Sequence, residues 1–105
     1  MNKGDIVLIP FPFSDLLGNK IRQAIILIVS RLDVTVCFIS SNTNYPEPFD
    51  FILESISTNR LKMRSLVKLN KISTVNKELI LGKIGELSVN EHYILDTNLR
   101  KIFNL

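Results

Sequence analysis

The chain has 105 residues, 46% of them hydrophobic, and its 13 lysines and arginines against 10 acidic residues give a net charge of +3. This length predicts one domain over residues 1–105, whose core needs no disulfide or metal, and the mild charge permits an anionic partner without requiring one. One cysteine and one histidine exclude a zinc cluster, so we expect no metal or cofactor, and the longest apolar run, residues 24–29, is too short to cross a bilayer.

The first part of the chain predicts three strands. Residues 5–11 are rich in Ile and Val and end among prolines, which is typical of a strand that stops there. Residues 14–20 are rich in turn-forming types and predict a loop. Residues 22–30 are apolar on both faces, which favours a central strand, and residues 34–40 predict its neighbour in an antiparallel meander.

The second part predicts shorter strands and one helix. Residues 49–54 and 79–87 are strand candidates on either side of a longer alternating segment, residues 65–72. Ser88 and Glu91 have the spacing of a capping box, which predicts a helix that begins there. One apolar stripe along this helix would consist of Leu95, Leu99 and Ile102. Several short strands followed by one amphipathic helix predict a small, mainly β barrel with the helix packed on it.

The alternation in residues 65–72 assigns side chains to the two faces of its strand. Even-numbered residues, including Lys68 and Asn70, would lie on one face. Odd-numbered residues, including Lys71, would lie on the other. Neither face would therefore be wholly apolar.

A cysteine and a histidine can together carry out nucleophilic catalysis, but in this chain each has a structural interpretation. Cys37 lies in an apolar run and is expected to be a small buried hydrophobe. A nucleophilic thiol would need a histidine beside it, and His92 lies far along the chain, in the predicted helix.

At this point three segments together indicate a family. Residues 4–22, GDIVLIPFPFSDLLGNKIR, closely resemble the opening of the MazF/PemK-like toxins, the growth-inhibiting endoribonucleases of toxin–antitoxin pairs. Residues 65–88 are similar to that family's second signature, and the strand end at residues 38–41 is similar to its third. The resemblance covers nearly the whole chain, in order and at suitable spacing.

The resemblance implies a fold and an activity. The fold would be an SH3-like (CcdB/MazF-like) β-barrel with a C-terminal α-helix, usually a homodimer in the cytoplasm. The activity would be metal-independent cleavage of single-stranded RNA by attack of a 2′-hydroxyl, which leaves a 2′,3′-cyclic phosphate and a 5′-hydroxyl. The partner would be a cognate antitoxin, through which any DNA binding would come.

The resemblance also implies site residues. Arg22 and Ser40 match the family's catalytic arginine and hydroxyl. Arg22 would stabilise the phosphorane, and Ser40 would donate to a non-bridging oxygen. The residues expected to contact RNA are Ser14, Asp15, Asn19, Lys20, Ser41, Lys68 and Asn70. The plain alternatives are a solvated arginine at a strand end and a hydroxyl that bonds locally.

Some positions depart from the family pattern. Gln23 stands where the family usually has proline, and Asn70 stands where some members have an aspartate. Leu17 lies near the place of a histidine that some members carry, which leaves Asp15 as the nearest proton acceptor. These departures keep open a non-catalytic module that binds RNA or antitoxin, or a relative that poisons DNA gyrase.

Aromatic and basic residues outside these motifs have two interpretations each. Phe11 and Phe13 are suited to stacking on bases or to a core. Lys62 and Arg64 are suited to a basic track for RNA or to a solvated surface. Tyr45 lies in a loop, where it contacts either RNA or nothing.

Overall fold

The architecture is a single antiparallel sheet that curls into a half-barrel, with one helix at the C-terminal end. The computed structural model describes residues 1–11, 20–56 and 59–105, so the predicted RNA contacts at Ser14, Asp15 and Asn19 lie outside the described residues. The elements are β1 (Asp5–Phe11), β2 (Lys20–Val29), β3 (Asp33–Ser40), β4 (Phe51–Leu53), β5 (Ser65–Asn76), β6 (Gly82–Glu86) and α1 (Val89–Ile102). The strands lie in the order β4-β5-β3-β2-β1-β6, which confirms the mainly β class.

The predicted meander of the first three strands is confirmed. β2 lies between β1 and β3 and pairs with both in antiparallel fashion. Its middle residues are buried on both faces, because Ile25 belongs to one apolar cluster while Ala24 and Ile26 belong to another. Both edges of β2 are paired and both of its faces are covered, so β2 is a central strand, as its continuous apolar sequence predicts.

The two clusters lie on opposite faces of the sheet, since successive side chains of a strand alternate. We call the one that contacts α1 the helix-side core; its buried residues are Ile6, Ile25, Cys37, Ile39, Leu53, Leu61, Val67, Leu69, Leu87 and Leu95. We call the other the far-side core; its buried residues are Val7, Ile9, Ala24, Ile26, Val34, Val36, Phe38 and Val75.

The C-terminal helix forms as its sequence predicts. The Ser88 hydroxyl accepts from the Glu91 amide at 3.2 Å, and the Glu91 carboxylate accepts from the Ser88 amide at 2.8 Å. Leu95 is fully buried in the helix-side core, with Leu99 and Ile102 packed beside it. In the described ranges, no helix has both the length and the apolar character needed to cross a membrane.

Three strands differ from their predicted lengths by three or more residues. β4 begins only at Phe51, because Phe49 has a φ of 73°, which is left-handed and incompatible with a strand. β5 continues to Asn76 because it remains paired with β3 beyond the predicted end. β6 begins at Gly82, after a short 3₁₀ turn at Lys77–Leu79 that occupies the start of the predicted strand.

The surroundings of Cys37 and His92 agree with the structural roles expected for both residues. Cys37 is fully buried within the helix-side core, and burial raises the pKa of its thiol to about 12. The His92 ring lies so close to Gly4 that a side chain at that position would clash with it, and Gly4 has a φ of 92°. The interpretation of Cys37 as a buried hydrophobe is therefore confirmed.

Native protein should therefore resist thiol alkylation. At pH 8 the Cys37 thiol is inaccessible and protonated, whereas in the unfolded chain it titrates near 9.0 and is exposed. We expect iodoacetamide to label protein in denaturant at least about a hundredfold faster than native protein, as measured by mass spectrometry. Stoichiometric labelling of the native protein at the denatured rate would contradict this packing.

Candidate functional site

Strand register brings two of the predicted residues to neighbouring positions. β2 and β3 pair with Gln23 opposite Ile39, and Arg22 and Ser40 are the next residues of the two strands. Directly opposed side chains in such a pair lie about 5 Å apart at Cβ. The antiparallel pairing therefore places the guanidinium and the hydroxyl at the same end of the sheet.

A third predicted residue, Lys68, joins them from the next strand. Lys68 of β5 pairs with Phe38 of β3, two residues before Ser40. Residues two apart on a strand lie on one face, and Phe38 belongs to the far-side core. Lys68 and Ser40 consequently lie on the face of the sheet opposite the helix.

These side chains line a cavity of about 610 Å³, which we call the central cavity. Its lining consists of Arg22, Phe38, Ile39, Ser40, Asn42, Asn44, Tyr45, Lys68, Lys71, Ile72 and Ser73. Among the described residues that line the cavity there are thus three cations, together with the apolar side chains of Phe38, Ile39 and Ile72. Among the described residues that line it there is no carboxylate, so the cavity is suited to an anionic ligand.

A bulge in β5 decides which side chains reach the cavity. Cys37 pairs with Ile72 and Phe38 with Lys68, so three residues of β5 lie between partners that are adjacent in β3. An odd number of inserted residues reverses the phase of the strand. The prediction that Lys71 lies on the opposite face from Lys68 is therefore wrong, and both line the cavity.

The same bulge places Asn70 differently from its prediction. Strict alternation would put Asn70 beside Lys68, but Asn70 lies within the bulge, is exposed and is not part of the lining. Lys20 begins β2 as an exposed residue and is likewise not part of the lining. The structure thus brings together Arg22, Ser40 and Lys68 but not these two.

The Ser40 hydroxyl has a fixed position. It accepts a hydrogen bond of 3.1 Å from the Asn42 amide, which is the local bond that the plain interpretation predicts. A hydroxyl that accepts a bond still carries a hydrogen to donate. The local contact therefore orients the Ser40 oxygen and leaves it able to bind an oxyanion in the cavity.

Lys68 forms an ion pair that the sequence did not indicate. Its Nζ lies 2.5 Å from Oδ2 of Asp50, whose side chain is 0% exposed, while the Lys68 side chain is 12% exposed. The sequence places Asp50 on the polar side of a predicted strand, which gives no signal of burial. The residues that sequence reasoning missed are therefore Asp50, behind the cavity, and Lys71, at its wall.

A second opening, the side cavity, lies next to the first and shares Arg22 and Ile39 with it. It measures about 370 Å³, and its lining is completed by Leu8, Ile21, Gln23, Ser41, Arg60, Lys62 and Ile84. Ser41 therefore lies in a different opening from Ser40, as expected for successive residues near a strand end. Arg60 and Lys62 make the side cavity cationic as well.

Comparison with known proteins assigns the family. Residues 2–103 match the model of the PemK-like, MazF-like toxins of type II toxin–antitoxin systems. The chain belongs to this family. The match covers nearly the whole chain, which confirms the resemblance stated from the sequence. A search of curated proteins finds no match.

Solved structures share the fold. A Mycobacterium tuberculosis toxin, MazF-mt6, superposes with a TM-score of 0.79 at 20% identity, over 96% of this chain and 97% of the toxin. An endoribonuclease in complex with its cognate antitoxin, from a mycobacterial species, gives 0.76 at 16% identity, over 98% of this chain and 94% of that one. At these identities the likeness establishes the MazF toxin fold.

Proposed function

We propose that this protein is the toxin of a type II toxin–antitoxin pair and that it cleaves single-stranded RNA in the central cavity without a metal ion. The observation that carries the proposal is the gathering of Arg22, Ser40 and Lys68 around one opening on one face of the sheet. Family membership and the fold of an endoribonuclease solved with its antitoxin support it.

In the proposed reaction, the bond that forms and the bond that breaks both belong to the RNA. The ribose 2′-oxygen forms a bond to the adjacent phosphorus, and the bond from phosphorus to the 5′-oxygen breaks. The 2′-hydroxyl loses one proton and the departing 5′-oxygen gains one. The products are a 2′,3′-cyclic phosphate and a 5′-hydroxyl end, and the negative charge on the phosphoryl oxygens peaks in the phosphorane.

The charged and polar residues that line the cavity have proposed roles in stabilising the negative charge that develops on the phosphoryl oxygens. Arg22 donates a fork of hydrogen bonds to the phosphorane, each charge-assisted bond contributing about 1.5–3 kcal/mol. The Ser40 hydroxyl donates to a non-bridging oxygen. Lys68 and Lys71 add positive potential from the neighbouring strand. We assign Arg22 to electrostatic stabilisation because a guanidinium stays protonated and is a poor base.

The RNA on either side of the scissile bond would follow the two cavities. Tyr45, at the rim of the central cavity, is 89% exposed and presents a ring on which a base can stack. Ser41, Arg60 and Lys62 would contact backbone in the side cavity. Lys20, Asn70, Ser14, Asp15 and Asn19 stay proposed RNA contacts, and Asp15 stays the candidate proton acceptor.

The proposed partners are those that membership of the family implies. A cognate antitoxin would inhibit the toxin by placing acidic and apolar groups over the two cationic cavities, which would exclude RNA by charge and by volume. We propose a homodimer acting in the cytoplasm, with any DNA binding confined to the complex with the antitoxin.

The direct test is to incubate the protein with a long unstructured RNA in EDTA and to map the new ends. Wild-type protein should cut at a recurring short sequence and leave cyclic-phosphate and 5′-hydroxyl ends. Arg22→Gln should lower the cleavage rate at least about a hundredfold, because it removes two charge-assisted bonds. Arg31→Gln, which changes an exposed arginine outside both cavities, is the matched control and should cleave normally.

Other outcomes of this assay separate the alternatives. RNA left intact but bound, with affinity that falls as salt rises, would replace the nuclease by a non-catalytic module. Intact RNA together with trapped cleaved DNA in a gyrase assay would indicate a gyrase poison. Full cleavage by Arg22→Gln would remove Arg22 from the proposed chemistry.

Tyr45→Ala should weaken RNA binding through loss of a stacked base. We expect KM to rise about 5- to 150-fold, equivalent to about 1–3 kcal/mol, with Tyr45→Phe close to wild type because the ring is kept. Tyr93→Ala on the helix, where the side chain is 71% exposed, is the control and should leave KM unchanged. Equal effects of Tyr45→Ala and Tyr45→Phe would assign the contact to the hydroxyl instead.

The bulge in β5 makes a comparison between adjacent residues possible. Lys71→Gln should reduce the slope of log affinity against log salt for an uncleavable single-stranded oligonucleotide by about 0.7, the value of one phosphate contact. Asn70→Ala should leave that slope unchanged, since Asn70 carries no charge and is not part of the lining. An unchanged slope in Lys71→Gln would show that Lys71 makes no contact with phosphate.

A further inference from the structure

Asp50 has a buried carboxylate, and among the described residues only one of its two oxygens has hydrogen-bond partners. Its side chain is 0% exposed, and its Oδ2 lies 2.5 Å from Nζ of Lys68 and accepts from the Glu47 amide at 2.8 Å. Its Oδ1 is buried and has no hydrogen-bond partner in the described part of the chain. A buried carboxylate is costly to desolvate, so its position is expected to depend on the ammonium beside it.

The pair restricts the cation at the cavity wall. A lysine has a flexible four-carbon stem, and a free surface lysine samples many rotamers. Lys68 instead has its ammonium against Asp50 and a side chain that is 12% exposed, while it also lines the central cavity. The carboxylate therefore holds the ammonium in one place before any ligand arrives, which is what an electrostatic site requires.

The loop that carries Asp50 is itself anchored. The Asp50 amide donates to the Glu47 carbonyl at 3.1 Å, which closes a tight turn together with the bond from the Glu47 amide to the Asp50 carboxylate. Phe49 between them has a left-handed φ of 73°. Asn98 of α1 donates to the Phe49 carbonyl at 3.0 Å. The helix thus supports, from the other side, the turn that supports Lys68.

We propose that Asp50 is a positioning residue for Lys68, and that it acts on RNA only through that lysine. Full burial of its side chain keeps it from taking a proton from the substrate itself. This inference rests on the proposed function, because it assigns Lys68 to the phosphate-binding wall of the same cavity. Lys68 pairs with Phe38, and both residues line the central cavity. If the Lys68 ammonium moved away from Asp50, it would no longer lie beside a phosphate bound in that cavity.

The test is a double-mutant cycle with Asp50→Asn, Lys68→Met and the variant that carries both changes. The first change replaces the carboxylate by a neutral amide of nearly the same volume. We expect Asp50→Asn to lower kcat at saturating RNA at least about tenfold, and to have no further effect in the Lys68→Met background. Glu54→Gln is the matched control, since Glu54 forms an exposed ion pair with Arg64 at 3.0 Å, and it should leave kcat unchanged.

Each outcome decides the inference. Wild-type activity in Asp50→Asn, or an equal loss from that change with and without Lys68, would overturn it while leaving the nuclease intact. If Lys68→Met alone fails to fold because the buried Asp50 carboxylate has lost its ammonium, the doubly changed protein, which has no buried charge at this pair, takes its place; a kcat of Asp50→Asn below that of the doubly changed protein would then overturn the inference.

If the proposed nuclease activity is absent, the inference is tested by RNA binding instead of by kcat. If wild-type protein leaves RNA intact, the same cycle is measured as affinity for an oligonucleotide with 2′-deoxy substitution, which is uncleavable. Coupling between Asp50 and Lys68 in that affinity would support positioning in a binding site. Independent effects of the two changes would overturn it.

Discussion

The bulge in β5 is the constraint on which the candidate site depends. It lies opposite the step from Cys37 to Phe38, where β3 contributes one residue to each core. By inserting an odd number of residues it allows Leu69 and Ile72 both to pack on the helix-side core. The same change of phase turns Lys68 and Lys71 to the far face, so apolar packing on one side of the sheet fixes the cations on the other.

The electrostatics of the site follow from this packing. Cations from two strands surround the central cavity, and Arg22 also borders the side cavity, where Arg60 and Lys62 contribute more positive charge. The carboxylate paired with the cavity wall, Asp50, is buried behind Lys68 and fixes the lysine's position. A region of one charge sign with a partly apolar wall concentrates the potential on an anionic ligand, and it suits a reaction whose charge grows on phosphoryl oxygens.

Much of the fold could be predicted from short-range patterns. The capping box at Ser88, the apolar stripe of α1 and the two-faced apolar sequence of β2 are each visible as a pattern within a short stretch of the chain, and each forms as predicted. Family resemblance supplied Arg22 and Ser40, which strand pairing then brings to one end of the sheet. Local sequence sufficed here because each of these features needs no knowledge of a distant partner.

The parts that escaped prediction depend on contacts distant in sequence. The bulge in β5 arises from its pairing with β3, and the simple alternation of residues 65–72 gives no sign of it, so that alternation misses that Lys71 lies on the same face as Lys68. Asp50 is buried by a turn whose left-handed Phe49 interrupts the predicted strand. Its ion pair joins residues 18 positions apart, and only the folded chain brings them together.

A crystal structure of the protein with a short single-stranded oligonucleotide, made uncleavable by 2′-deoxy substitution, would show where RNA binds. We expect a phosphate in the central cavity, within hydrogen-bond distance of the Arg22 guanidinium and the Ser40 hydroxyl, with the Lys68 ammonium still paired to Asp50. An oligonucleotide bound on the helix side of the sheet, with the central cavity empty of phosphate, would contradict this expectation.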